Sequence, residues 1–239
     1  DSNSTRNTPT KTVNDTVSDN HRFDQFYKAF EDKFRGPEDI IKNRVKEHIP
    51  IFEALSKENK KKPIIDIGCG RGEMLSVLKD NNFTAIGIDM NESMVNRAIE
   101  MGYQAVNTDA LSYLKTLDKN STAAVTGFHI VEHIPFEPLM EIFAECYRVL
   151  DRGGFVLFET PNPETLKVGS HSFYLDPSHL KPVPPQLLSF MLEYIGFECE
   201  IQRIHPIDTL STTVKSAEIK KLHSAVFGPA DYAVIGRKL

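Results

Sequence analysis

Ten residues, Pro63-Ile-Ile-Asp-Ile-Gly-Cys-Gly-Arg-Gly72, restrict the fold more than any other stretch of the sequence. An apolar run of strand length carries one acid, Asp66, and gives way to glycines at positions 68, 70 and 72. An amphipathic helical pattern follows at once, from Gly72 to Lys79. A buried strand that enters a helix through a glycine turn opens a βα unit. Glycine suits such a turn because it adopts positive φ and lets a ligand approach the backbone. The expected product is an open parallel sheet with a ligand at the carboxyl edge of its first strand.

The same alternation continues downstream. Strands are predicted at Thr84–Asp89, Gln104–Val106, Ala123–His129 and Gly154–Glu159, with helices at Glu92–Met101, from Leu111, and at Pro138–Leu150. Strand and helix in turn give an α/β fold with helices on both faces of the sheet. The end of the chain departs from this order: a helix at Pro185–Tyr194 closes at Gly196, two strands follow at Phe197–Ile204 and Tyr232–Ile235, and a helix at Thr213–Ala225 lies between them. Ahead of the sheet, Phe23 to Leu55 has helical spacing interrupted at Gly36-Pro37 and Pro50. Asp1 to Asn20 is too polar to bury a core. The expected organisation is therefore a flexible tail or linker at 1–20, an N-terminal helical cap at 21–60, and one domain at 61–239. Within that domain, 159–185 is expected to be a substrate-side loop and 205–228 an insertion.

Composition narrows the partners. A formal charge of -5 leaves no basic field for nucleic acid. Cys69, Cys146 and Cys199 are far apart and form neither a disulfide framework nor a C-x-x-C pattern. A reducing, cytoplasmic setting is expected, at the inner face of a membrane only through partner domains. No apolar run approaches the ~20 residues of a membrane span, and no signal peptide is visible. The start at Asp1 fits a chain processed or cut from a longer one.

The glycine spacing also narrows the ligand. Dinucleotide-binding turns read G-x-G-x-x-G, whereas this one reads G-x-G-x-G and is followed by Glu73. A pyrophosphate at the helix start would meet that carboxylate. A nucleoside without a pyrophosphate fits better, and Asp89, ending the second strand, can accept hydrogen bonds from its ribose hydroxyls. The alternative is a plain tight turn with an incidental acid.

These residues resemble the class I S-adenosylmethionine-dependent methyltransferases. Asp66-Ile-Gly-Cys-Gly-Arg-Gly72 is similar to their first motif, Gly87-Ile-Asp89 to their second, and Asn107-Thr-Asp109-Ala110 to their adenine loop. The resemblance covers about Pro63 to Leu239. It implies a Rossmann-like, mostly parallel seven-stranded sheet with one late antiparallel strand, helices on both faces and an N-terminal helical extension. It also implies S-adenosylmethionine as cofactor and S-adenosylhomocysteine as product. Gly68 and Gly70 would lie along the methionine part, Asp89 at the ribose, Met90 on the purine face and Asp109 at the adenine amine. Asp66, Cys69, Ala110 and Phe128 complete the implied cofactor set. Longer phrases, among them Phe128-His-Ile-Val-Glu-His-Ile-Pro135, Glu159-Thr-Pro-Asn-Pro163 and Phe173-Tyr-Leu-Asp-Pro-Ser-His179, resemble bacterial methyltransferases of surface-polysaccharide (O-antigen) synthesis. Some of those are chain-terminating enzymes or are fused to glycosyltransferase or kinase domains. By that similarity Tyr27 and Arg35 reach the cofactor, Arg35 being suited to its carboxylate; a solvated helix charge is the plainer account of Arg35.

Phe128-His-Ile-Val-Glu-His-Ile-Pro135 also matches H-x-x-E-H, a zinc-peptidase motif. That motif needs a continuing helix, whereas here a strand precedes it and Pro135 and Pro138 follow it. For methyl transfer to a hydroxyl, His133 or His129 is expected as base, with Glu132 orienting one of them. A phosphate acceptor would need no base. Asn162, His171, Tyr174 and His179 are expected on the substrate side. His171, Asp176 and His179 are metal-ligand types, but such residues more often satisfy loop backbone groups, and no metal is assigned. The expected activity is O-methylation of a saccharide or saccharide phosphate in bacterial surface glycan synthesis. The alternatives are a small quinone- or phenol-like acceptor and a non-catalytic cofactor-binding domain of a larger enzyme.

Overall fold

The computed structural model describes residues 33, 36–208 and 215–239. The chain divides into two compact units, Asp1–Ile41 and Lys42–Leu239. In the first, the described residues are Lys33 and those from Gly36 into helix α1 (Glu38–Lys46). The expected tail, Tyr27 and Arg35 lie outside the described residues.

The second unit carries all the described strands. After α2 (Ile49–Glu53) come β1 (Ile64–Ile67), α3 (Glu73–Asp80), β2 (Ala85–Asp89), α4 (Glu92–Glu100), β3 (Gln104–Asn107), α5 (Ala110–Thr116) and β4 (Thr122–Phe128). Then follow α6 (Phe136–Val149), β5 (Leu150–Pro161), α7 (Leu166–Ser170), α8 (Pro185–Ile195), β6 (Glu198–Pro206), α9 (Ala217–Phe227) and β7 (Pro229–Arg237). The strand order is β3-β2-β1-β4-β5-β7-β6. Strands β1 to β5 run parallel, and β7 is antiparallel to both β5 and β6. This is the mostly parallel sheet with one late antiparallel strand that the sequence predicts.

The burial pattern explains why the central strands read as apolar runs. Every residue of β1 and β4 is buried, as expected for parallel strands covered on both faces. Successive strand positions point to opposite faces. Phe158 therefore packs on Phe143 of α6, with ring centroids 5.1 Å apart, while Phe155 meets Phe52 of α2 on the other face at 5.0 Å. Phe52 is fully buried, so the segment ahead of β1 contributes to the core of this unit.

Element limits shift where caps and prolines decide them. Asp109 Oδ1 accepts from Ser112 N at 2.8 Å and starts α5 at Ala110. Helix α6 begins at Phe136 rather than Pro138, since proline is tolerated in a first turn. The stretch 159–185, read from sequence as lacking regular structure, contains the end of β5, α7 and a 3-10 turn at Ser172–Leu175. Two ties hold it: Tyr232 Oη, buried, donates to Val183 O at 2.7 Å, and Leu180 N donates to Glu132 O at 2.9 Å.

Strand order reverses beside β1, whose neighbours are β2 on one side and β4 on the other. The loops leaving β1 and β4 diverge there, and open sheets place ligands in such a crevice.

Candidate active site

The turn after β1 has the backbone its glycines predict: φ is 67° at Gly68, 49° at Gly70 and 84° at Gly72. Gly68 N and Cys69 N donate to Ile88 O at 2.7 and 3.1 Å, which fastens the turn to the end of β2. Gly87 makes room for it, because a Cβ there would sit 2.6 Å from Cys69 Sγ. Cys69 is buried, and burial together with the nearby Asp66 and Asp89 carboxylates pushes its thiol far above the ordinary range. It is packing, not a nucleophile. Asp66 is also buried and accepts from Thr126 Oγ1 at 2.6 Å. Glu73 is not the free negative charge that the sequence suggested: it is buried in an ion pair with Arg71 at 2.8 Å. The exclusion of a pyrophosphate therefore cannot rest on Glu73.

The cavity lining supplies a better reason. A cavity of about 380 Å³ opens beside the turn, bounded by Gly68, Asp89, Met90, Asp109, Ala110 and His133 with apolar walls from Ile67, Ile88, Leu111, Ile134 and Ile142. Among the described residues that line it there is no lysine or arginine. Asp89 is fixed before any ligand arrives: Oδ2 accepts from Gly70 N at 2.9 Å and Oδ1 from Asn91 N at 2.8 Å. Each oxygen keeps a further lone pair for a ribose hydroxyl. Met90 is 77% exposed, an apolar surface free to cover a flat ring. Asp109 spends one oxygen as the α5 cap, and Ser112 holds its carboxyl below the usual range. Two fixed acids, an apolar wall and a glycine turn suit an adenosine bearing a cationic sulfonium. Phe128, at the end of β4, is buried, with its ring 5.7 Å from that of His48.

The opposite wall belongs to the loop after β4. His133 lines the cavity; His129 does not. His129 has φ 53° and is a third exposed. Its Nδ1 lies 3.5 Å from Glu132 Oε1, and its Nε2 lies 3.8 Å from both Glu159 Oε1 and Asp231 Oδ1. Burial opposes a charge there, but the Glu132, Asp231 and Glu159 carboxylates outweigh it and raise the imidazole to about 9. The expectation of His129 as a base is corrected on both counts: it faces carboxylates rather than the cavity, and it holds its proton. Glu132 is buried; burial pushes its carboxyl up, but His129 beside it holds it below the ordinary range. Oε2 accepts from Thr160 Oγ1 at 2.9 Å. Burial pushes the His133 imidazole below its ordinary range, against the nearby Glu132 carboxylate.

Beside His133, His179 stacks edge-on with centroids 4.7 Å apart, and Tyr174 is 64% exposed one ring further out beside Phe173. His171 is exposed and belongs to neither group of converging ligand-type side chains. Asn162 is corrected: it is 1% exposed, donating to Pro229 O at 3.2 Å and accepting from Glu164 N at 3.2 Å. Its amide stitches the end of β5 to β7 and has no face for a substrate.

Sequence reasoning missed a buried charge network at this edge. His48 Nε2 lies 2.7 Å from Glu159 Oε2, and His205 Nδ1 lies 3.2 Å from Asp231 Oδ2. The one available signal was Glu159 itself, an acid closing an otherwise apolar strand. Among the described residues no helix is long and apolar enough to cross a membrane.

A methyltransferase domain family matches residues 41–202. A solved S-adenosylmethionine-dependent methyltransferase from Archaeoglobus fulgidus is 35% identical, with a TM-score of 0.79 over 89% of this chain and 100% of that one. A protein of Mycolicibacterium smegmatis described as "Probable S-adenosylmethionine-dependent methyltransferase" is 29% identical over 64% of this chain and 58% of its own length. The ubiquinone biosynthesis O-methyltransferase of Pseudomonas entomophila is 30% identical over 47% of this chain and 49% of its own. The chain thus spans about half the length of these two curated relatives. Fold, turn and matches agree: the chain belongs to the class I S-adenosylmethionine-dependent methyltransferases.

Proposed function

We propose that this methyltransferase acts on a hydroxyl oxygen of a saccharide or saccharide phosphate, in bacterial surface glycan synthesis. One observation carries the hydroxyl reading: Asp89 and His133 wall the same cavity, so a donor fixed at Asp89 presents its reactive end toward a histidine. S-adenosylmethionine, when bound, supplies an electrophilic methyl on a sulfonium. The residues of the chain do the rest by placement. Asp89 would accept from the ribose, Met90 would cover the purine, and the Gly68 turn would let the methionine part lie against backbone. The apolar walls keep water from the sulfonium. His133 receives the acceptor hydroxyl, and the polar group of Ser178, Asp176 and His179 beside it suits a polyhydroxylated molecule better than a flat apolar one. A fused or associated glycosyltransferase or kinase domain in the cytoplasm fits this reading.

A small quinone- or phenol-like acceptor is the second reading, favoured by the similarity to the ubiquinone biosynthesis O-methyltransferase of Pseudomonas entomophila. Incubation with labelled donor and a panel of nucleotide sugars, glycans, phosphoglycans and catechols separates the two. Label on the carbohydrates supports the first; label confined to catechols overturns it. Binding of S-adenosylhomocysteine with no transfer to any hydroxyl points instead to a non-catalytic domain.

A further inference from the structure

We infer that Glu132, His133 and His179 form a divalent-cation site on the acceptor side of the cavity. Each offers one ligand atom, and the three atoms lie within 4.8 Å of one another. His179 Nδ1 is 2.6 Å from Phe173 O. A carbonyl only accepts, so Nδ1 carries a proton and Nε2 is the nitrogen turned toward the cluster. Ser178 Oγ donates its single proton to Asp176 Oδ1 at 2.5 Å. It must then accept from His133 Nδ1 at 3.1 Å, which leaves Nε2, the ring's other nitrogen, as the second ligand atom. Glu132 Oε1 is the third: its side chain has no exposed surface, and among the described residues that oxygen has no hydrogen-bond partner.

Three ligand atoms thus converge around a buried, unsatisfied carboxylate oxygen, an arrangement that is costly when dry and that a cation relieves. His129 stands 3.5 Å from the same Glu132 oxygen, too far for a hydrogen bond but close enough for its charge to offset part of that cost. Two imidazoles and one carboxylate are a ligand set for zinc, manganese or ferrous iron, with positions left open. A tetrahedral zinc ion with bonds of about 2.1 Å needs ligand atoms about 3.4 Å apart. Glu132 Oε1 and His179 Nε2 are 3.8 Å apart, a few tenths from that spacing. Every ligand is also held from behind, as metal ligands generally are: His179 by Phe173 O, His133 by Ser178, and Glu132 by Thr160. The adjacent trio His129, Glu159 and Asp231 lacks this character, because its carboxylates already bond His48 and His205. The set also differs from the one weighed in the sequence: Glu132 and His133 take the places of His171 and Asp176.

The inference rests on the hydroxyl-acceptor reading and deepens it. Because His133 lines the cavity, an acceptor hydroxyl or phosphate oxygen can complete the coordination from that side. His133 is then a ligand rather than a proton acceptor.

The test uses the full chain, stripped with chelator and titrated with Mn²⁺ and with Zn²⁺ by calorimetry. One ion per chain is expected, with a raised melting temperature and, for Mn²⁺, electron spin-echo couplings from two imidazole nitrogens. Glu132→Gln should weaken the ion by at least about 10-fold and leave S-adenosylhomocysteine affinity unchanged. Absence of stoichiometric binding to the wild-type chain, binding without imidazole couplings, or equal binding by a folded Glu132→Gln chain overturns the site. Full transfer to a hydroxyl acceptor in excess chelator would sink the cation while leaving the proposed activity standing. A bound cation with no hydroxyl acceptor methylated would keep the site and remove the acceptor reading.

Discussion

Asp89→Ala gives the sharpest test of the donor half of the cavity. Each carboxylate oxygen of Asp89 is held by one backbone N–H, from Gly70 or Asn91, and keeps one outward lone pair. Two outward hydrogen bonds to a charged group are worth about 1.5 kcal/mol each at the low end of the usual range. The low end applies because Asp89 is only partly buried and water replaces some of what is lost. The sum, about 3 kcal/mol at about 1.4 kcal/mol per decade, is a loss of about 100-fold in affinity. Calorimetric titration with S-adenosylhomocysteine measures it, and urea unfolding of both proteins checks that the turn survives without its two anchors. An affinity within about threefold of wild type in a folded variant would show that Asp89 does not face the ribose, and the placement of the adenosine would have to be redrawn.

Three further outcomes are expected. Phe52→Ala, emptying a fully buried site against Phe155, should destabilise the domain by about 3–5 kcal/mol in urea; a cost near zero would detach α2 from the core. Ser178→Ala removes the acceptor for His133 Nδ1 and should lower kcat about 10- to 100-fold with S-adenosylhomocysteine affinity unchanged; unaltered turnover would remove Ser178 from the positioning of His133. His205 is pushed down by burial but raised on balance by Asp231 and Glu159, with Arg44 opposing and Glu47 3.7 Å away. A raised folded value contributes stability that is complete below the unfolded value of about 6.5 and is lost as pH climbs through the folded one. The urea midpoint should therefore fall between mildly acid and mildly alkaline pH, and His205→Gln should flatten that fall; an equal slope in the variant would assign it elsewhere.

What was legible in the sequence was local. The apolar runs at Ile64–Ile67 and Ala123–Phe128 are strands because their positions are buried on both faces, and a run needs no distant partner to be read. Asp89 was legible because it ends a strand beside a glycine turn. The charge network was not, because His48, His129, Glu159, His205 and Asp231 come from five separate segments that meet only when β5, β7 and β6 pair. Asn162 was misread for the same reason: its partners at Pro229 and Ala230 are over sixty positions away. Glu73 was misread at short range, since the Arg71 that neutralises it stands two positions before it and a charge was weighed without its neighbour.

The order of the strands explains why the two halves of the cavity have such different chemistry. The donor half is built at the ends of β1, β2 and β3, where Gly68, Asp89 and Asp109 offer backbone and two acids and nothing that titrates near neutrality. The other wall is the loop after β4, where Ile130, His133 and Ile134 line the cavity, and behind it carboxylates and histidines gather at the neighbouring edge of β5, β7 and β6. The reversal beside β1 keeps these sets on opposite walls. On the proposed reading, a sulfonium is drawn to the wall with Asp89 and Asp109 and no lysine or arginine, while the acceptor hydroxyl meets the wall that carries His133. Substitutions should then divide along the same line. Those at Asp89 or Gly87 should register in cofactor affinity, those at Glu132, Ser178 or His179 in turnover, and the pair should combine additively because the walls share no hydrogen bond among the described residues.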